Sequence, residues 1–339
     1  MGHRRQLTPR ALREALGTLA HAVDAGGASL EVSLPTQDAP RTRAAALLRD
    51  RVMRAHALPA PPRDSAPAAT FAAFLDGVQE SRVLAYVGPV PIVHGRSGAV
   101  VRARVERRLV TWGDAPLTDD ALYAPLAALP PVAIDALAAM AAPLVDTTDD
   151  AVPLEEAHPQ QMLRRAVHLV QRGREALEQQ LADAWCAATP DAALYVDGGL
   201  APTATVLGGA RAVGVIKSHH TLYATGAALA TVMALGARER SSLFVVETRW
   251  RDPVASWYLR LRPPGGHDPL WGLVRVELSL AALAAIAPDP DDACDVVSQW
   301  VAVEAAPLAL PDARWDTMAY GIRDCEVYLR AALGRLGWS

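Results

Sequence analysis

Two aspartates followed by glycine, Asp76 in FLDG and Asp197 in YVDGG, are the residues of this chain whose type and setting point most directly to chemistry. Each closes a short apolar run, so each reads as the carboxyl end of a buried strand, where a sheet opens to solvent. The glycine that follows would let the backbone turn sharply and let a ligand approach. Two such carboxylates on neighbouring strands would present hard oxygen donors, which suit Mg2+ or Mn2+. Two ions about 4 Å apart can activate water and steady a leaving oxygen in phosphodiester cleavage. Asp-Gly is also ordinary turn chemistry, so the weight rests on the pair and not on either alone.

Further candidates surround them in sequence. Glu175 and Glu178 stand three apart on a long helical stretch before Asp197, and Arg174 could orient one of them. Glu178, which completes an Arg-x-x-x-Glu pattern, is preferred to Glu175. Lys217, the one lysine in a chain otherwise supplied with arginine, ends the apolar run of GVIKSHH and could meet a phosphate. His219 and His220 lack the i, i+4 spacing of a zinc helix, and no HExxH occurs. Near the C-terminus Asp316, Tyr320 and Asp324 recur every four residues in RWDTMAYGIRDCEVYLR, with Glu326 close by. One of them could complete the site, with an N-cap at Asp316 and exposed charges beyond it as the alternative. Arginines cluster at 102–108, 164–174 and 238–240; on a net-acidic chain they read first as solvated faces.

The elements that must position these groups follow from periodicity. Helices are expected over 7–25, capped by Thr8, and over 42–57, with a Pro/Ala-rich linker at 58–69. Short strands are expected at 71–77, 83–94 and 99–112, with a glycine turn at 95–98, then a helical insert over 114–150. A long amphipathic helix covers 160–187. Strands follow at 192–196, 212–217, 242–247, 255–261 and 270–278, and a last helix at 317–336. This order predicts an α/β fold, an RNase H-like mixed sheet flanked by helices with extra antiparallel strands. An N-terminal helical arm and linker (1–69) would precede the main domain (70–339).

Composition sets the outer limits. The 339 residues are 51% hydrophobic and 21% charged, enough for a large core, and the net charge of −4 excludes a uniformly basic nucleic-acid coat. Three scattered cysteines form no CxxC pair, which argues against a zinc ribbon or disulfide framework and suits a reduced, cytoplasmic setting. No apolar stretch is long enough to span a bilayer, so no membrane association is expected. No GxxxxGK[ST] loop occurs, so P-loop ATPase chemistry would have to come from a partner.

The succession FLDG, two strands, YVDGGL, VGVIKS, SWYLRLRPP, LVRVEL and a closing helix resembles the NurA nuclease family from about Phe71 to Leu333. The resemblance implies an RNase H-like, Mn2+-dependent nuclease acting on single- and double-stranded DNA, with Mg2+ as the alternative ion. It also implies a homodimer docked on a HerA-type hexameric ATPase during DNA end resection. By it Asp76 and Asp197 match the two catalytic aspartates, Glu178 or else Glu175 the glutamate between them, and Lys217 the Lys-Ser motif. The family's Ala-His pair in the last helix has no counterpart here, which leaves Asp324 to substitute. An actin-like or sugar-kinase-like nucleotide-binding protein, or a non-catalytic adaptor of a motor ATPase, are the competing readings.

Overall fold

The structure is a computed structural model that describes residues 9–22, 29–30, 39–59, 71–106, 108–149, 151, 153, 156–248, 251–305, 317 and 319–335. α1 (Pro9–Leu16) leads to β1 (Ala20–Ala22), and three short strands follow: β2 (Arg41–Thr42), β3 (Ala46–Leu47) and β4 (Ala55–Ala57). A long hairpin, β5 (Ala73–Val87) and β6 (Val90–Val105), precedes β7 (Arg108–Thr111), β8 (Leu117–Ala124), α2 (Pro131–Ala138) and β9 (Leu144–Asp146). Then come α3 (Pro159–Ala188), β10 (Leu194–Asp197), α4 (Ala204–Leu207), β11 (Ala212–Ile216), β12 (Thr221–Leu222) and α5 (Gly226–Met233). The chain continues through β13 (Glu239–Ser241), β14 (Phe244–Thr248), β15 (Arg251–Arg260) and β16 (Leu273–Ser279) to α6 (Leu280–Ile286), α7 (Pro290–Glu304) and α8 (Tyr320–Arg335).

One 14-stranded mixed sheet carries most of these strands, in the path β3-β14-β15-β16-β11-β10-β5-β6-β8-β9. Its centre, β8-β6-β5-β10-β11, has the expected RNase H-like order. An antiparallel meander is followed by a long helix and two strands parallel to the first. Side chains alternate across the sheet. Leu75, Leu194 and Val196 pack with Leu181 and Trp185 of α3 on one face. Phe74, Tyr195 and Val215 pack with Ile322, Cys325 and Leu329 of α8 on the other.

α3 starts cleanly because His158 caps it in a reciprocal capping box with Gln161, and Pro159 occupies the first turn, where its missing N–H costs nothing. Met162, Ala166 and Val170, then Leu181, Ala182 and Trp185, form its buried stripe.

Several expectations give way. The predicted helix at 42–57 is extended chain instead: β2 pairs with β12, β3 with β14 and β4 with β13. Ala45, Leu47 and Met53 pack onto the core, whereas Leu48 and Val52 stay exposed. The 7–25 helix stops at Leu16, and β1 joins β5. The strand at 71–77 does not end at Asp76-Gly77. β5 runs on to Val87, paired with β6 apart from a register shift between Val83 and Ala85, and the turn falls at Gly88, whose φ of +58° suits glycine. The expected turn at 95–98 lies inside β6. A Cβ on Gly95 would collide with Val170 and stand 2.6 Å from Tyr123 Cε2, so this glycine serves helix packing. The insert at 114–150 is mixed, with β8 and β9 around α2. Thr8, linker residues 60–69 and Asp316 lie outside the described residues. None of the described helices is long and apolar enough to cross a membrane.

Candidate metal centre

The central parallel pair builds the site. β10 runs beside β5 with Tyr195 opposite Phe74 and Val196 opposite Leu75, so the next step in register sets Asp197 beside Asp76. Both side chains emerge on the face covered by α8, as Phe74 and Tyr195 do one pleat earlier. β10 ends at Asp197, and Gly198 turns the chain away with a φ of +127° that favours glycine. β5 continues. Beyond Leu75, no described strand pairs with it on the β10 side until β1 joins at Ala85. The result is a notch in the sheet with two aspartates at its head.

Lys217 follows from the same geometry. Asp197 is paired with Val215 in β11, and Lys217 lies two residues further along the same face. Its Nζ donates to Asp197 Oδ2 at 2.7 Å. The loop beyond is anchored, because the ring of His219 bonds Leu273 O at 2.9 Å through Nε2 and packs against Tyr258.

Glu178 approaches from the opposite face. It continues the buried stripe of α3 by helical steps from Val170 through Arg174, and Arg174 Nη1 donates to its Oε1. Arg174 Nε also donates to Gln79 of β5 at 3.0 Å, which ties helix to strand. Gly77 makes this approach possible: a Cβ there would lie 2.9 Å from Glu178 Cδ and 3.0 Å from Arg174 Cγ, and closer still to Oε1.

A cleft of about 560 Å³ opens at the notch, lined among others by Asp76, Asp197, Lys217, Arg174, Glu326 and Arg330. Asp76 is 9% exposed. Burial first, then the charge of Asp197, pushes its carboxyl well above the usual range, with Lys217 opposing and Glu178 reinforcing. Burial likewise raises Glu178 to about 7 against the pull of Arg174. Carboxylates crowded in this way are short of positive charge.

That shortage, together with an all-oxygen donor set, fits a hard divalent cation. Among the described residues no three His, Cys, Asp or Glu groups close into a ligand set. Mg2+-like ions commonly take one or two carboxylates and complete their shell with water and substrate phosphate. Asp76 and Asp197 suit that arrangement, with Glu178 behind them.

Two expected residues are not brought in. Glu175 points outward and accepts from Gln171 Nε2 at 2.8 Å. Asp324 is held away by Arg102 of β6, whose Nε donates to Asp324 Oδ2 at 2.6 Å. Glu326, 7% exposed, takes the cleft position on α8 and accepts from Arg330 at 3.1 Å and Arg323 at 3.2 Å. The signal was in the sequence: Ile322, Glu326, Leu329 and Leu333 fall at i, i+4, i+7 and i+11, a single helix face, and Asp324 falls off it.

No family model matches this chain, and no curated protein matches it. Among solved structures, the NurA nuclease from Sulfolobus solfataricus is a distant structural match, with 9% identity and a TM-score of 0.42 over 86% of this chain and 85% of that one.

Proposed function

We propose that this chain is a divalent-metal-dependent nuclease that hydrolyses DNA phosphodiesters in the cleft beside β5 and β10. The observation that carries the reading is the pairing of Asp76 and Asp197 on adjoining parallel strands, with Lys217 bonded to Asp197 at the cleft wall. Mn2+ or Mg2+ held by the two aspartates would supply an activated water and charge stabilisation of the leaving oxygen. The chain's own groups do the rest. Lys217 places a cation where a phosphate oxygen would enter, and Arg174 and Arg330 add guanidinium donors along the wall. Arg174, bonded at once to Gln79 of β5 and to Glu178, holds the helix against the strand and fixes the depth of the site. The wider reading extends to exo- and endonuclease action on single- and double-stranded DNA, in end resection, repair or defence. There the chain would act as a homodimer with a HerA-type ATPase.

The test is cleavage of end-labelled linear and single-stranded DNA with Mn2+, Mg2+ or EDTA, with Asp76→Asn and Asp197→Asn run beside the parent protein. Metal-dependent cleavage should fall by on the order of a hundredfold or more in each folded variant, because each change removes an anionic oxygen donor. Absence of cleavage by the parent protein, with a HerA-type ATPase and ATP supplied, would refute the reading.

A further inference from the structure

The segment 41–54, RTRAAALLRDRVMR, holds five arginines and one aspartate in a chain whose net charge is −4. It is laid out as a strap. At one end Arg41 N donates to His220 O at 2.8 Å and Arg43 N to Leu222 O at 2.8 Å, so β2 is stitched to the loop that carries Lys217. From there the strap runs to β14, where Ala46 and Leu47 pair with Val245 and Phe244, and on to β13 through β4. Ala45, Leu47 and Met53 turn inward onto the core beneath α3. Arg41, Arg43, Arg51 and Arg54 are exposed. Arg49 is neutralised by Asp289 at 2.6 Å, and Asp50 is occupied by His56 at 3.3 Å and Ser242 at 2.5 Å. Arg43, Arg51 and Arg54 form no ion pair with a described residue.

A solvated charged face would explain any one of these arginines. It does not explain why a row of exposed cations, set on the short links between β2, β3 and β4 that pair into the fold, starts at the loop of the cleft's own lysine. Fourteen residues reach at most about 45 Å, several nucleotide steps of an extended backbone. Exposed guanidiniums carried on a backbone that is itself tied into the sheet are what a chain of phosphates requires.

We infer that the arginine strap 41–54 is a track for the phosphate backbone of a nucleic acid, leading away from the cleft past the Lys217 loop. The inference rests on the nuclease reading for the identity of the ligand. It predicts that a strand long enough to leave the cleft gains contacts that a short one lacks.

The test is binding of full-length protein to fluorescein-labelled single-stranded DNA of 30 and of 6 nucleotides, in EDTA to prevent cleavage, across a salt series. The variants are R43A/R51A/R54A, whose side chains form no ion pair with a described residue, and the charge-preserving R43K/R51K/R54K. Each lost single-strand phosphate contact lowers the slope of log affinity against log salt by about 0.7, so the triple alanine variant should lose about 2 from the slope and bind the 30-mer roughly a hundredfold more weakly at 0.1 M salt. The lysine variant should keep the slope, and the 6-mer should bind all three proteins alike. An unchanged slope for the 30-mer would overturn the track and point to an acidic protein partner for the strap. An equal loss for the 6-mer would overturn it in favour of an indirect effect on the cleft. Because nothing is cut in this assay, the slope change can stand even if the parent protein proves unable to cleave DNA, and can fail even if it cleaves well.

Discussion

Replacing Gly77 by alanine should separate the site from the fold. The backbone at Gly77 does not have a positive φ, so alanine is tolerated by the strand itself. The obstacle is on the face of α3, where the new methyl would stand 2.9 Å from Glu178 Cδ and 3.0 Å from Arg174 Cγ. Carbon atoms in good contact sit at about 3.5–4.0 Å, so the carboxylate must retreat by about an ångström. Glu178 is flexible at that end, and the overpacking cost should therefore stay near the low limit of such changes, about 1 kcal/mol. The metal-dependent cleavage, by contrast, should fall steeply, about tenfold or more, because a displacement of this size spoils the geometry of a metal or its bound water. Shortening the acid to aspartate withdraws it by one C–C bond, about 1.5 Å. Gly77→Ala combined with Glu178→Asp should therefore lose less than the two single effects added together. Urea denaturation gives the stability term and DNA cleavage in Mn2+ the activity term. Gly77→Ala with parental activity would remove Glu178 from the site. A loss of stability above about 4 kcal/mol would show that the glycine serves backbone packing instead.

Two further outcomes follow from buried charges. Glu277 is fully buried, accepts from Arg275 at 2.6 Å and from Leu200 N at 3.2 Å, and so tethers the loop that leaves Asp197. Glu277→Ala should weaken Mn2+ binding about 10–100-fold by calorimetry, with Glu277→Gln recovering most of it; equal Mn2+ affinity in parent and alanine variant would refute the tether. Arg260, fully buried, donates to the carbonyls of Met233 at 3.1 Å, Leu235 at 3.2 Å and Pro269 at 2.9 Å, and to that of Trp271. Arg260→Met strands these acceptors and should cost roughly 3–5 kcal/mol in urea denaturation without changing Mn2+ affinity; a cost below 1 kcal/mol would disprove the carbonyl cage.

The elements around Asp197 were legible because local signals agreed there: an apolar run, a glycine with a positive φ, and a long capped helix upstream. At Asp76 the same dipeptide carried a different meaning. Gly77 is small for the sake of a helix about a hundred positions away in sequence, and no local pattern distinguishes that need from a turn. The strap at 41–54 failed for a related reason. Its alternation of arginine and apolar residues satisfies a helix face and an edge-lying extended chain equally, and only the partners β12, β13 and β14 decide between them. Glu326 could have been placed by helical phase alone, whereas the bond that holds Asp324 to Arg102 joins segments whose proximity only the folded sheet creates.

The helix that closes the cleft is also the last described element of the chain. Asp76 belongs to the first long strand, yet the wall bearing Glu326 and Arg330 is synthesised some 250 positions later. At ribosomal speeds of about 5–20 residues per second, that interval is on the order of ten seconds to a minute. Until it has passed, the two aspartates have no α8 above them and remain open to bulk water, where carboxylates hold ions weakly. The wall bearing Glu326 and Arg330 therefore closes over the cleft only after both aspartate-bearing strands have been made.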